Sequence, residues 1–365
     1  MVLEEFKEKE RRLREFMKEK GLSGIVLTRR SNFSWLTCGG DNHVVFSTEE
    51  GIASLVVTEK ENYILTTNIE IQRILDEEVS GLDFKPLSYP WYENKKEEIL
   101  REIFGDKPFG TDIPLGNGIL IDRDLVKIRS SLTSWEIERY RKIGKDAGEV
   151  LEEVARNIKP GFSEKAIATL LIENFWKKDL EPTVILVACD DRIYKYRHPI
   201  PTDNIFKKQA MLVIMARRKG LQVAGTRLVH VGPLGEELKK KHRAVVEIDA
   251  NLIYATRPGV AYKELFNKMK ELYNKVGYPN EWEKHHQGGP TGYWTREFIN
   301  NPYVDDVVLE NQPVAWNPSI TGTKSEDTIL VTSNGFEIVT HTGKWNYIKV
   351  KVEGKEIERP DILIL

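Results

Sequence analysis

Glu283-Lys284-His285-His286-Gln287-Gly288-Gly289-Pro290-Thr291-Gly292-Tyr293-Trp294 sets two adjacent histidines before three glycines, a proline and two aromatics. Proline lacks an N–H and its ring clashes with the preceding turn, so Gly-Gly-Pro fits neither a helix interior nor a central strand. The stretch reads as a loop whose backbone comes close to something, with imidazoles at its mouth. A satisfied surface turn with incidental histidines has the same local chemistry. The rest of the chain has to decide between them.

The 365 residues suffice for two domains, each with its own core. Net charge is -2, from 54 basic and 56 acidic residues, so nothing favours nucleic acid or an anionic membrane as partner. The two cysteines, Cys38 and Cys189, show no metal spacing and fit a reducing compartment. The N-terminus is charged from its fourth residue, unlike a signal peptide, and no apolar run is long enough to span a bilayer. A cytoplasmic location is expected.

Along the chain, Leu3, Phe6, Leu13, Phe16 and Met17 keep a helical period that ends at Gly21. Apolar runs at Gly24–Thr28, Ile52–Thr58 and Tyr63–Thr66 alternate with helices expected near 69–78 and 95–104, which describes a small α/β domain. Its polar, Trp-bearing patch from Arg29 to His43 is expected as a loop, either ligand-facing or a capped turn. The boundary is placed between Leu115 and Leu132, giving domains of 1–125 and 126–365. Thr133 and Glu136 then form a capping box for a helix to about Ile158. Ile137, Tyr140, Ile143, Ala147, Leu151 and Val154 share one face of it. Lys159-Pro160-Gly161 stops this helix, and Ser163 caps the next.

The same unit recurs. Arg257-Pro258-Gly259 repeats the Pro-Gly junction, and each copy leads through an amphipathic helix and a His-bearing loop to paired β segments. Ala224-Gly225-Thr226-Arg227-Leu228-Val229 lines up with Glu326-Asp327-Thr328-Ile329-Leu330-Val331. Agreement over several consecutive elements favours a duplication, whose halves would meet around a pseudo-two-fold axis.

These features together resemble the creatinase / aminopeptidase P / prolidase / methionine aminopeptidase superfamily. Ser34-Trp35-Leu36-Thr37-Cys38-Gly39 stands where creatinase-type N-terminal domains carry Tyr-Leu-Thr-Gly. His198-Pro199-Ile200-Pro201 matches the His-x-x-Pro segment that supplies a substrate-binding histidine. His286 is aligned with the metal-binding histidine of the Gly-His-Gly-Ile-Gly loop. Asn317-Pro318 replaces Glu-Pro, and Ser325-Glu326-Asp327-Thr328 matches Ile-Glu-Asp-Thr. The implied fold class is α/β (α+β): a creatinase-type N-terminal α/β domain, then a duplicated pita-bread domain.

Peptidases of this family hold two divalent metals with two Asp, one His and two Glu. Carried over by position, the Asp pair falls on Val213 and Ala224, and the first Glu on Asn317; only Glu326 survives among the carboxylates. Dications ~3.5 Å apart repel by roughly 20 kcal/mol at an effective dielectric near 20, and only surrounding anions offset that. No metal and no cofactor is therefore expected. The resemblance then implies a metal-independent, creatinase-like hydrolase or lyase cleaving a C–N bond in a small nitrogenous substrate or short peptide. His198, His286 and Glu326 are its candidate catalytic residues, and Arg197, His285, Gln287, Tyr293 and Asn317 its candidate substrate contacts. Imidazole suits the task because it titrates near neutrality. Two alternatives stay open: a peptide- or protein-binding relative without catalysis, and a Xaa-Pro peptidase with an altered metal site. Glu326 can also be read as a plain ion-pair partner of Lys324. The family likeness further implies a homodimer.

Overall fold

The computed structural model describes residues Val2–Leu365, which divide into two compact units: one running through Arg129 and including Lys219–Leu221, the other comprising Ser130–Arg218 and Gln222–Leu365. In the first unit the helix Val2–Lys20 buries Phe6, Leu13, Phe16 and Met17, whose spacing puts them on one face. A six-stranded sheet follows, in the order Lys85–Tyr89, Asn62–Thr67, Glu50–Thr58, Gly24–Arg29, Gly110–Thr111, Ile119–Leu120. Val26, Val56 and Leu65 pack from it against Leu100 and Phe104 of the helix Lys96–Phe104. The helix expected near 69–78 is Ile71–Arg73 passing into a π turn at Ile74–Glu78. The expected division after residue 125 would cut the helix Asp122–Arg129, which stays with the first unit.

The patch from Arg29 to His43 departs from its reading as a loop. Arg30–Leu36 is a helix with all seven residues buried. Two of its polar side chains are paired within the unit: Arg30 with Asp41 at 2.7 Å, and Asn32, which donates to Asp112 at 2.9 Å. A ligand-facing role for this segment is not what its burial provides.

The second unit repeats one motif. The helix Ser134–Asn157 opens it with both halves of the Thr133/Glu136 capping box in place. Ser163 accepts from the Ala166 N–H at the start of Glu164–Lys177, and the strand Glu181–Cys189 and the hairpin Gln209–Arg218/Leu221–His230 follow. The second copy runs Glu236–Ala255, Tyr262–Lys275, Gly288–Pro290, Pro313–Trp316 and Asp327–Thr332. Each copy carries its own four-stranded sheet, one including Leu363–Ile364 and the other Gly335–Ile338.

The copies meet strand to strand. Ala224 N–H donates to the Thr328 hydroxyl at 2.8 Å, and Thr226 N–H donates to the Glu326 carbonyl at 3.0 Å. Ala224 and Thr226 are the repeat counterparts of Glu326 and Thr328. Each residue therefore bonds the counterpart of its own second neighbour, the reciprocity a two-fold axis between these strands demands.

A buried ion network underlies this junction. Arg359 pairs with Asp249 at 2.6 Å and Asp327 at 3.0 Å, while Arg227 pairs with Asp327 and Glu152, each at 3.1 Å. The Ser325 hydroxyl donates to Asp249 at 2.5 Å. Side chains alternate along extended backbone, so fixing Ser325 and Asp327 on this side turns Lys324 and Glu326 to the other. That alternation positions the site.

Candidate functional site

Glu326 is saturated by protein donors. Lys324 Nζ lies 2.7 Å from Oε2, Arg296 Nη2 lies 2.9 Å from Oε1, and the Thr226 hydroxyl donates to Oε2 at 2.7 Å. All four residues are buried or nearly so. Burial, the largest single influence, would raise the Glu326 carboxyl, but Lys324, Arg296 and Thr226 together hold it below the usual carboxylate range. Burial lowers the Lys324 ammonium, and Glu326 opposes that shift. The pairing with Lys324 read from the sequence is present. Arg296 was not singled out: it follows Trp294-Thr295 in a loop, and nothing local in the sequence marks a partner 30 positions away.

Three imidazoles gather nearby. His198 stands in an exposed position ahead of Pro199, on a loop tethered by Arg197, whose Nη2 donates to Glu281 at 3.0 Å and Thr321 at 2.8 Å. His285 follows the 3-10 turn Glu281–Lys284 in extended backbone, with its Nε2 3.1 Å from His198 Nε2. The His286 ring stacks on His285 at 4.5 Å between centroids and lies 5.6 Å from His198. Burial and then the Lys324 charge lower His198. The same two influences push His285 far down, and burial followed by Arg296 takes His286 to about 4. All three rings are thus biased toward the neutral form.

The remaining sequence candidates divide. Arg197 braces the His198 loop. Asn317 is buried, its N–H donating to the Gln287 carbonyl at 3.1 Å, and its Oδ1 has no hydrogen-bond partner among the described residues. Gln287 and Tyr293, expected as substrate contacts, are structural. Gln287 Oε1 accepts from the Tyr273 hydroxyl at 2.7 Å, and its amide N–H groups donate to the Trp282 and His285 carbonyls. The Tyr293 hydroxyl donates to Glu136 at 2.5 Å, and the ring is 1 % exposed. Both are spent on packing the loop.

The dinuclear centre expected of the family does not fit these residues. Val213 packs with Leu186, Met211 and Leu228, and Ala224 with Met215 and Ala315. Neither offers a ligand atom. Both Glu326 oxygens are already taken by cations and a hydroxyl, and Asn317 brings no charge. A pair of dications ligated by Glu326 would meet Lys324 and Arg296 where it needs carboxylates. His286, which the resemblance aligns with the family's metal-binding histidine, stacks on His285 just ahead of Gly288-Gly289-Pro290. A Cβ at Gly289 would lie 2.5 Å from the Phe298 carbonyl oxygen, so this backbone admits no side chain there.

Comparison with known proteins agrees with the architecture. Residues 10–110 match the creatinase/prolidase N-terminal domain. A Xaa-Pro dipeptidase from Pyrococcus furiosus is 24% identical over 363 aligned residues, covering 92% of this chain and 98% of that one. The crystal structure of the prolidase from Pyrococcus horikoshii OT3 superposes with a TM-score of 0.78 at 19% identity, covering 92% and 98%. The N-terminal domain of FACT complex subunit SPT16 from Cicer arietinum gives a TM-score of 0.74 at 12% identity, covering 94% and 97%. At such identities these likenesses show the fold, a creatinase-type N-terminal domain followed by a pita-bread domain. Residues 138–333, more than half of the chain, match metallopeptidase family M24, and the chain belongs to that family.

Proposed function

We propose that this chain is a prolidase-type hydrolase that cleaves the C–N bond of a small Xaa-Pro-like peptide by imidazole proton transfer, without a two-metal centre. Its relatives support the peptide substrate over the creatinase-like one inferred from the sequence, because the dipeptidase likeness runs the length of the chain. The saturated state of Glu326 carries the other half of the proposal. Its ion pairs with Arg296 and Lys324 leave one net positive charge, which suits the carboxylate of a short peptide and not a pair of cations.

In this reading His198 is the general base. Its Nε2 faces His285 Nε2 at 3.1 Å; with Nε2 donating there, Nδ1 carries the lone pair, and the exposed ring can reach a substrate-bound water. The water gives a proton to imidazole as its oxygen bonds the carbonyl carbon. The same proton passes to the departing nitrogen as the C–N bond breaks. His286 is a second polar contact, and the open Asn317 Oδ1 accepts from the substrate amine. Glu326 anchors the two cations.

Proline release from Xaa-Pro dipeptides, measured on chelator-dialysed protein, tests the proposal. Turnover should survive chelation. Activity that appears only with two bound metals per chain would refute it. Calorimetric binding of the dipeptides without cleavage would support the second reading, recognition without catalysis, which the full commitment of the Glu326 oxygens favours because no carboxylate base is then available.

A further inference from the structure

We propose that the imidazoles of His198, His285 and His286 form a site for a single borderline transition-metal dication of the zinc class, separate from Glu326. One nitrogen of each ring lies within 4.8 Å of the other two. Zinc binds imidazole nitrogen at about 2.0–2.1 Å, so tetrahedral ligand atoms sit roughly 3.3 Å apart. The His198–His285 pair is already at 3.1 Å, and a His286 nitrogen lies within 4.8 Å of both.

A second observation points the same way. The Nδ1 atom of His286 is buried without a hydrogen-bond partner among the described residues. Buried ring nitrogens ordinarily find a partner, and a metal is one that the protein atoms do not supply. Three nitrogens and no carboxylate suit zinc, nickel or copper over magnesium, calcium or manganese. The exposed His198 leaves an entry path and an open fourth position. The site takes nothing from Val213, Ala224, Asn317 or Glu326, and shares with the aligned family positions only His286.

One consequence rests on the function proposed above. A metal on His198 Nε2 leaves the ring's one proton on Nδ1 and so removes the lone pair that proton transfer needs; occupancy should inhibit hydrolysis, the reverse of its effect in a metallopeptidase.

The test uses the full chain stripped by a chelator and titrated with zinc chloride by calorimetry and with cobalt(II) by visible absorption. One ion per chain, with the intense d–d bands of tetrahedral cobalt, is expected. His198→Ala removes an exposed ring, so it should keep the melting midpoint while weakening binding more than about 100-fold, beyond the loss of an outer-shell partner. Absence of saturable binding, two ions per chain, or undiminished affinity in His198→Ala would overturn the site. Activation by the bound ion would overturn the consequence. A chain that binds one ion yet cleaves no dipeptide would count against the proposed hydrolysis and leave the metal site standing.

Discussion

Glu326→Gln should destabilise this protein, whereas in a carboxylate-lined metal site the same change would relieve repulsion in the metal-free state. Lys324 and Arg296 are both buried and hold the carboxylate at 2.7 and 2.9 Å. At an effective dielectric near 20 each contact is worth roughly 6 kcal/mol of attraction before desolvation is subtracted. Removing one partner of a buried pair costs about 3–5 kcal/mol, because the charges left behind stay uncompensated. Glutamine keeps the shape and one acceptor, so the lower end of that range is expected. At about 2–4 °C per kcal/mol for a domain of this size, the midpoint should fall roughly 6–12 °C.

The assay is thermal unfolding of both proteins in chelator, repeated across pH. The Glu326 carboxyl is depressed in the folded state, so its contribution is present above the unfolded value, 4.5, and fades as pH falls through the folded one. The gap between the two proteins should therefore be constant near neutrality and narrow in acid. An equal or higher midpoint for Glu326→Gln at pH 7 would refute the claim that two side-chain cations have replaced the metals.

Asp249 behaves in the opposite sense. Burial outweighs Arg359 and pushes its carboxyl up to about 6, so its contribution is full below 3.8 and is lost as pH rises through about 6. Midpoints of Asp249→Asn against pH should lack that downward step. His198→Ala should abolish proline release with little change in midpoint, since the residue is exposed. Thr133→Ala breaks the capping box and should cost about 1 kcal/mol in denaturant unfolding. Gly288→Ala places a Cβ 2.1 Å from the Ala315 carbonyl oxygen at a φ of 98°, and loss of soluble folded protein is expected.

Much of the backbone was legible because local chemistry agreed with the fold. The Thr133 and Ser163 caps and the two Pro-Gly junctions sit where side chains satisfy helix ends. The duplication could be read from aligned elements alone. The helix Arg30–Leu36 could not: it has no apolar period, and it exists because Arg30 finds Asp41 and Asn32 finds Asp112 across the unit. The site followed the same division. That Val213, Ala224 and Asn317, the positions the resemblance gives to metal ligands, carry no carboxylate was visible, since an absent carboxylate needs no coordinates. The tasks of Gln287 and Tyr293 were hidden because their partners, Tyr273 and Glu136, lie on distant helices. A polar side chain in a loop looks the same in sequence whether it awaits a ligand or pins the loop.

Arg296 explains why the one remaining carboxylate could persist. A lone buried carboxylate stripped of its metals would be expected to protonate or be replaced by an apolar side chain. Glu326 instead keeps its charge through Lys324 on the same strand face and Arg296 on the loop that follows the histidines. The repeat axis contributes as well. Thr226, the counterpart of Thr328, spends its hydroxyl on Glu326, while Thr328 spends its own on the backbone of Ala224. In the function proposed here, the missing carboxylates at the aligned ligand positions and the buried cations on Glu326 are two sides of one charge balance. Reinstating aspartates at 213 and 224 with Arg296 and Lys324 in place should give ion pairs and no dinuclear centre. Metal uptake in that double variant should require removal of both cations as well.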